Sequence, residues 1–298
     1  MEEGTQAAWL YEILSPHVYE MVVMGVPKSK GQKSDKLDAF GLAEKLRIGS
    51  IERRVYKGMG EFSTLGSMSK AYRVVMVDTV RVMNRLKGVF RSRGISTAGR
   101  QVFGQRTKEQ WVGKLPSKMH PLARTYYAEL EALLPVRKQA LKDMLGEAKA
   151  HSVFHTLKTI PGLGGIRVAE MLPIVITPYR FASKGDFWTY CGSPPPARST
   201  SDWVRAADGR WLRANTEKTR GLNRNHNHVL KKIFKGAATT VVGQKRPAEP
   251  IFQHYLSLLD NGTKPNLAKL TIARQIASVT LALWRSGEDY DGKKLKKP

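Results

Sequence analysis

Three stretches of this 298-residue sequence carry side chains whose types and spacing suit phosphodiester chemistry. The first is TYCGSPPPARSTSDWVR, residues 189–205, where three prolines stiffen the chain before Ser199, Thr200 and Ser201. A hydroxyl on a rigid loop between Arg198 and Arg205 can attack a phosphodiester while the guanidiniums stabilise the charged transition state. The same composition suits a surface loop of turn formers. The second is Asp35 and Asp38, at i and i+3 at the mouth of a helix, so that both carboxylates share a face. With a third carboxylate they suit Mg²⁺, although acidic groups in a first helical turn are favoured by the helix dipole in any case. The third is Thr159–Ala169, TIPGLGGIRVA, with the Pro-Gly, apolar, Gly order of a helix-hairpin-helix. There Gly162, Leu163 and Gly164 would present backbone amides to a phosphate at the start of the next helix, without reading bases. A plain turn between two helices has the same glycines.

The surroundings of the serines are basic. Arg210, Arg213, Lys218, Arg220 and Arg224 follow them, then Lys231, Lys232 and Lys235, with Trp203 and Trp211 interleaved. Aromatics among cations suit single strands or distorted duplexes, while tryptophans also serve as core. Asn223, Asn225 and His226 precede a helix and either cap it or contact substrate. His226 and His228, at i and i+2, do not share a helix face, which argues against zinc.

These residues need elements to position them. WLYEIL reads as a helix leading into VYEMVVMGVP, a buried strand of an α/β unit ended by Pro27. A helix follows from Asp38, with Ser34 as its cap and Gly49 as its end. Met68, Tyr72, Val75, Thr79, Val82, Leu86 and Val89 mark a heptad seam. Leu122, Tyr126, Leu130 and Leu133 mark a second, continued by Leu141, Met144 and Ala148 beyond a kink at Pro135. The two helices would form a hairpin, or a coiled coil with a second chain. Helical periodicity returns at Val229–Ala237 and Leu267–Trp284, and the Lys-rich tail GKKLKKP reads as disordered. The expected fold class is α+β and mostly helical. Its parts are an α/β unit at 1–60, long helices at 61–155 and a helical domain with the helix-hairpin-helix at 156–298.

Composition narrows the function. Fifty Lys and Arg stand against 25 Asp and Glu, a formal charge of +25. That excess points to a polyanion, DNA or RNA, bound with counterion release. The single cysteine, Cys191, excludes a disulfide scaffold and a multi-cysteine zinc site and fits a reducing, cytoplasmic setting. No apolar run is long enough to cross a bilayer. A non-catalytic nucleic-acid-binding protein, or a basic ribosome-associated protein, would also account for the charge.

The order EEGTQAAWLYEIL, KSDKLDA, long helical middle, IPGLGGIRVAEM, YCGSPPPARSTSD and RGLNRNHNHVLKKIFKGAA resembles the IS-110-type transposases, which include the Piv-like DNA invertases. The resemblance implies a RuvC-like nuclease domain with a DEDD carboxylate set, a coiled coil, and a C-terminal transposase domain with an essential serine. It implies Mg²⁺ at Asp35, Asp38 and Glu2, with Glu3 a one-residue alternative for the last. It implies a covalent serine–DNA intermediate at Ser199 or Ser201, Thr200 being the ungapped match. A structured non-coding guide RNA and a homo-oligomer are implied partners. Arg220 and Arg224 join Arg198 and Arg205 as expected DNA contacts. The family's first aspartate lies on a strand expected before Glu2, so the resemblance reads the sequence as N-terminally short.

Overall fold

The computed structural model describes residues 1–25, 34–51, 54–55, 60–194, 203–213 and 225–295. The chain divides into two compact units, Met1–Ser63 and Thr64–Pro298.

In the first unit, helix α1 (Ala7–Leu14) precedes an extended segment that ends at the buried Val23 and Met24. Met24 bridges Glu2 in parallel on one side and Arg54 in antiparallel on the other. Backbone bonds of 2.7–2.8 Å (Glu3 to Met24, Met24 to Met1, Val55 to Val23) tie the three segments together. Only the end of the VYEMVV run is enclosed: Val18 and Tyr19 are exposed, and Met24 makes isolated bridges, so the expected buried strand is not formed over this run. Helix α2 (Asp35–Arg47) starts after Ser34, which makes no side-chain capping bond, and gives way to Gly49 at φ 68°.

The second unit is helical. Helix α3 (Ser63–Arg91) and helix α5 (His120–Lys149) are joined by a segment holding the short helix α4 (Lys108–Val112). Tyr72, Thr79, Val82, Leu86 and Val89 of the first seam are buried. Val82, Leu86, Val89 and Phe90 enclose one core with Val102, Trp111, Val112, Leu115, Ala123, Tyr127 and Leu130. Both long helices therefore contribute to one core in which the connecting segment is packed. Phe90 and Trp111 meet edge to face at 5.4 Å, and the Tyr127 hydroxyl donates to the Val102 carbonyl at 2.8 Å. Burial pushes that phenol up to about 12. On α5 the buried line is Ala123, Tyr127 and Leu130, while Leu122 is 41% exposed. Pro135 is accommodated inside the continuous helix.

Helices α6 (Ser152–Lys158), α8 (Lys184–Tyr190), α9 (His228–Gln244) and α10 (Pro250–Asp260) pack on α11 (Pro265–Ser286), and α7 (Gly165–Val175) packs on α5, α6 and α9. The buried face of α11, Ala268, Ile272, Ala273, Ile276, Ala277 and Thr280, alternates small and branched residues. That alternation lets α8, α9, α10 and α6 all approach it. After α7 the chain turns sharply at Ile176, φ 65° and ψ −54°, with the Thr177 amide donating to Val175 at 2.8 Å. This γ-turn has the strained hand for a branched residue. It is held from outside: Arg180 donates to the Ile174 carbonyl, and Arg285 to those of Pro178 and Phe181.

Strands β1 (Trp203–Arg205) and β2 (Trp211–Arg213) form an antiparallel ribbon in register Trp203–Arg213 and Arg205–Trp211. Ala-Ala-Asp-Gly-Arg turns the ribbon, with Gly209 at φ 83°. The terminal GKK of the tail forms a short 3₁₀ turn, with Lys294 tied to Glu288 at 2.7 Å, rather than a free tail through that stretch.

Candidate nucleic-acid interface

The turn between α6 and α7 is built by its glycines for two different reasons. Gly162 has φ 81°, and a Cβ there would lie 2.5 Å from the Ala237 carbonyl oxygen of α9. Only glycine permits that backbone conformation and that approach together. Leu163 is 1% exposed and anchors the turn in the core. Gly164 has φ −73°, is exposed, and has open space where a Cβ would stand. It is the N-cap of α7, so the first-turn amides beside it have no intrahelical acceptors and carry the positive end of the dipole.

A cavity of about 440 Å³ lies against this turn, lined among others by Lys158, Gly164, Arg167, Arg246, Glu249 and Tyr290. Arg167 donates to the Gly162 carbonyl at 2.6 Å and so braces the turn; burial lowers its guanidinium from the usual value. The single carboxylate, Glu249, is engaged: it accepts from the Tyr290 hydroxyl and from the Ile251 amide. Burial and Glu249 together raise the Tyr290 phenol, which stays protonated. Three cations beside exposed helix-start amides form an arrangement that can accept a phosphate. Gly162, Leu163 and Gly164 come together as expected on one turn. Lys158, Arg167 and Arg246 were not foreseen, although Arg167 sits within the TIPGLGGIRVA motif itself.

The serine stretch, with Arg198, Ser199, Thr200 and Ser201, lies outside the described residues, as do Arg220 and Arg224. What holds its stem is visible. Arg274 of α11 donates to the Ser193 carbonyl from Nε at 2.9 Å and to the Pro194 carbonyl from Nη2 at 3.0 Å. Trp188 of α8 donates to Arg274's own carbonyl at 2.9 Å and to Ser278 Oγ at 3.0 Å. Gly192, φ 69°, lets the chain pass over His226, whose ring a Cβ would meet at 2.4 Å. The Asn227 amide bonds Tyr190 at 2.8 Å. The chain thus leaves at Pro194 and is tied again at Asn227 against the same end of α8. Asn227, not Asn225 or His226, caps α9, accepting from the Val229 and Leu230 amides at 3.0 Å each, and Asn223 lies outside the described residues. Cys191 is buried between these anchors, and its thiol is pushed well above the ordinary range, which makes it unreactive.

The carboxylates are arranged differently. Asp35 and Asp38 share the exposed first turn of α2, whereas Glu2 sits in the bridge to Met24. Among the described residues no three His, Cys, Asp or Glu side chains form a metal-holding group. As placed, Asp35, Asp38 and Glu2 do not form a donor set that fits one Mg²⁺. Arg205 and the two ribbon tryptophans stand in solvent, Trp203 50% and Trp211 65% exposed, so neither indole is core.

Residues 154–254 match the model of the transposase IS116/IS110/IS902 family. The matched stretch contains the glycine turn, the Arg167 brace, the Pro194 stem, the ribbon and α9. No curated protein matches the chain. No helix among the described residues is long and apolar enough to cross a membrane.

Proposed function

We propose that this chain, whose residues 154–254 match the model of the transposase IS116/IS110/IS902 family, belongs to that family and breaks and rejoins DNA through a serine hydroxyl. The observation that carries the reading is the coincidence of that match with the cationic cavity at the glycine turn. Lys158, Arg167, Arg246 and the amides after Gly164 take the backbone of a duplex without reading its bases. Ser199 or Ser201, tethered beyond the Pro194 stem, is the nucleophile, and Arg198 and Arg205 supply positive charge to the phosphate. Attack forms a bond from serine oxygen to phosphorus as the bond to a deoxyribose oxygen breaks. The serine proton ends on the departing oxygen, and a new sugar hydroxyl reverses the step on another end. A structured RNA guides the choice of ends, as the family resemblance implies, and the active form is an assembly of several copies.

The experiment is a search for a covalent protein–DNA adduct in denaturing gels, with wild type, Ser199→Ala, Ser201→Ala and the double variant. An adduct that one single variant abolishes supports the mechanism and names the nucleophile. An adduct that survives in the double variant removes the serine. Tight, salt-sensitive binding with no adduct in wild type assigns a binding protein instead.

A further inference from the structure

The β1–β2 ribbon does not line the cavity at the glycine turn, and its composition is specific. Residues at i and i+2 on a strand, and residues directly opposite across a pair, share a face. Trp203, Arg205 and Trp211 therefore lie on one face of the ribbon. Both indoles are at least half exposed, and so is Leu212 on the reverse face, at 52%. A two-stranded ribbon exposed on both faces is marginal by itself, and large exposed aromatics mark a partner rather than a core.

We infer that this face is a stacking platform for an unpaired DNA base, with Trp203 and Trp211 on its rings and Arg205 on the adjoining phosphate. Trp203 and Trp211 are diagonal neighbours in the register, a relation that sets side chains about 7–8 Å apart. That is close to twice the ~3.4 Å that separates bases along a strand, so one base fits between two indoles. Charge selects the same occupant. Among the described residues, the exposed Arg205 donates only to the Gly209 carbonyl, at 3.3 Å, which leaves its charge uncompensated, while Arg210 at the turn is paired with the Asp208 carboxylate at 2.6 Å. A second copy of the ribbon would set Arg205 against Arg205, whereas a polyanion complements it. An intact duplex hides its base faces in its own stack, so the platform takes a strand that has left the duplex. The inference rests on the proposed DNA chemistry, in which strands must part beside the serine stem that precedes β1.

The test titrates the full chain with a short oligothymidylate, followed by tryptophan fluorescence, and separately with a duplex. It compares wild type, Trp203→Ala/Trp211→Ala, Trp203→Phe/Trp211→Phe and Lys158→Glu/Arg246→Glu. Stacking predicts quenching in wild type and a loss of oligothymidylate affinity of about tenfold or more in the double-Ala variant. Duplex affinity there stays within about twofold, and the Phe variant recovers most of the loss, which a folding defect would not allow. The Lys158/Arg246 reversal shows the opposite pattern. Wild-type oligothymidylate affinity in the double-Ala variant overturns the platform, as does a tenfold preference for oligouridylate that depends on the same tryptophans. If instead the reversal leaves duplex binding intact, the cavity falls and the platform stands.

Discussion

Two glycines two residues apart should respond to alanine in opposite ways. Gly162→Ala imposes a left-handed backbone on a residue with a Cβ, at about 1–2 kcal/mol. It also drives that Cβ to 2.5 Å from the Ala237 oxygen and 3.0 Å from Val241 Cγ2. The first of these neighbours is helix backbone and cannot step aside, so overpacking adds about 1–3 kcal/mol. The total of ~2–5 kcal/mol corresponds to a melting temperature lower by roughly 5–15 °C for a unit of this size. Gly164→Ala has φ −73° and meets nothing within 4 Å. Loss of a good N-cap costs it about 1 kcal/mol or less. Its methyl instead stands where a phosphate would approach the amides of α7, and the loss of one charge-assisted bond weakens duplex binding about tenfold or more. Thermal melting by circular dichroism and duplex affinity by anisotropy read the two effects separately. A Gly162→Ala protein that melts like wild type would refute the close approach to α9. A Gly164→Ala protein that binds duplex like wild type would refute the amide seat.

Two further outcomes follow from buried charge. Arg274→Met frees the carbonyls of Ser193 and Pro194 while keeping the aliphatic stem; it should destabilise by about 1–3 kcal/mol and reduce adduct yield far more than duplex affinity, with Arg274→Lys recovering part of the yield. Equal losses of yield and affinity would deny Arg274 a positioning role. Glu170 lies within reach of Arg73, Lys232 and Arg167, yet burial outweighs them and raises its carboxyl. A carboxyl raised in the folded state gives stability that is fully present below its unfolded value, near 4.5, and lost as pH rises through the folded value. Glu170→Gln should therefore gain on wild type as pH climbs from about 4.5, measured as the difference between their melting temperatures; a difference that is flat with pH would contradict the burial.

Much of this architecture was written in local pattern. The heptad seam of α3 is legible because Tyr72, Thr79, Val82, Leu86 and Val89 fall at steps of seven, three, four and three, and these are buried, while Met68 and Val75 of the same seam are half-buried. On α5 the line through Leu122 and Tyr126 sits one position away from the buried line through Ala123 and Tyr127. Alanine is small enough to lie under a neighbour, and an apolarity pattern gives it little weight. The glycine turn declares itself in TIPGLGG, but sequence gives no hint that Gly162 serves α9, because that contact spans 75 positions of chain. Arg246 reaches the same cavity from far along the chain and is invisible to any local motif. The ribbon was legible and missed: Asp208-Gly209 between Trp-Val-Arg and Trp-Leu-Arg is a hairpin signal, masked by the surrounding arginines. Asn227 caps α9 because it alone, among the neighbouring asparagines, directly precedes the first helical turn.

The central claim is that the cationic cavity beside Gly164 grips a sugar–phosphate backbone. Duplex affinity measured across a salt series, for wild type and for Lys158→Glu/Arg246→Glu, tests it most directly. A grip on the backbone predicts a linear fall of log affinity with log salt in wild type, and a slope shallower by about 2 in the variant, one for each lost phosphate contact. An identical slope and affinity in the variant, or no duplex binding by wild type at low salt, would contradict it.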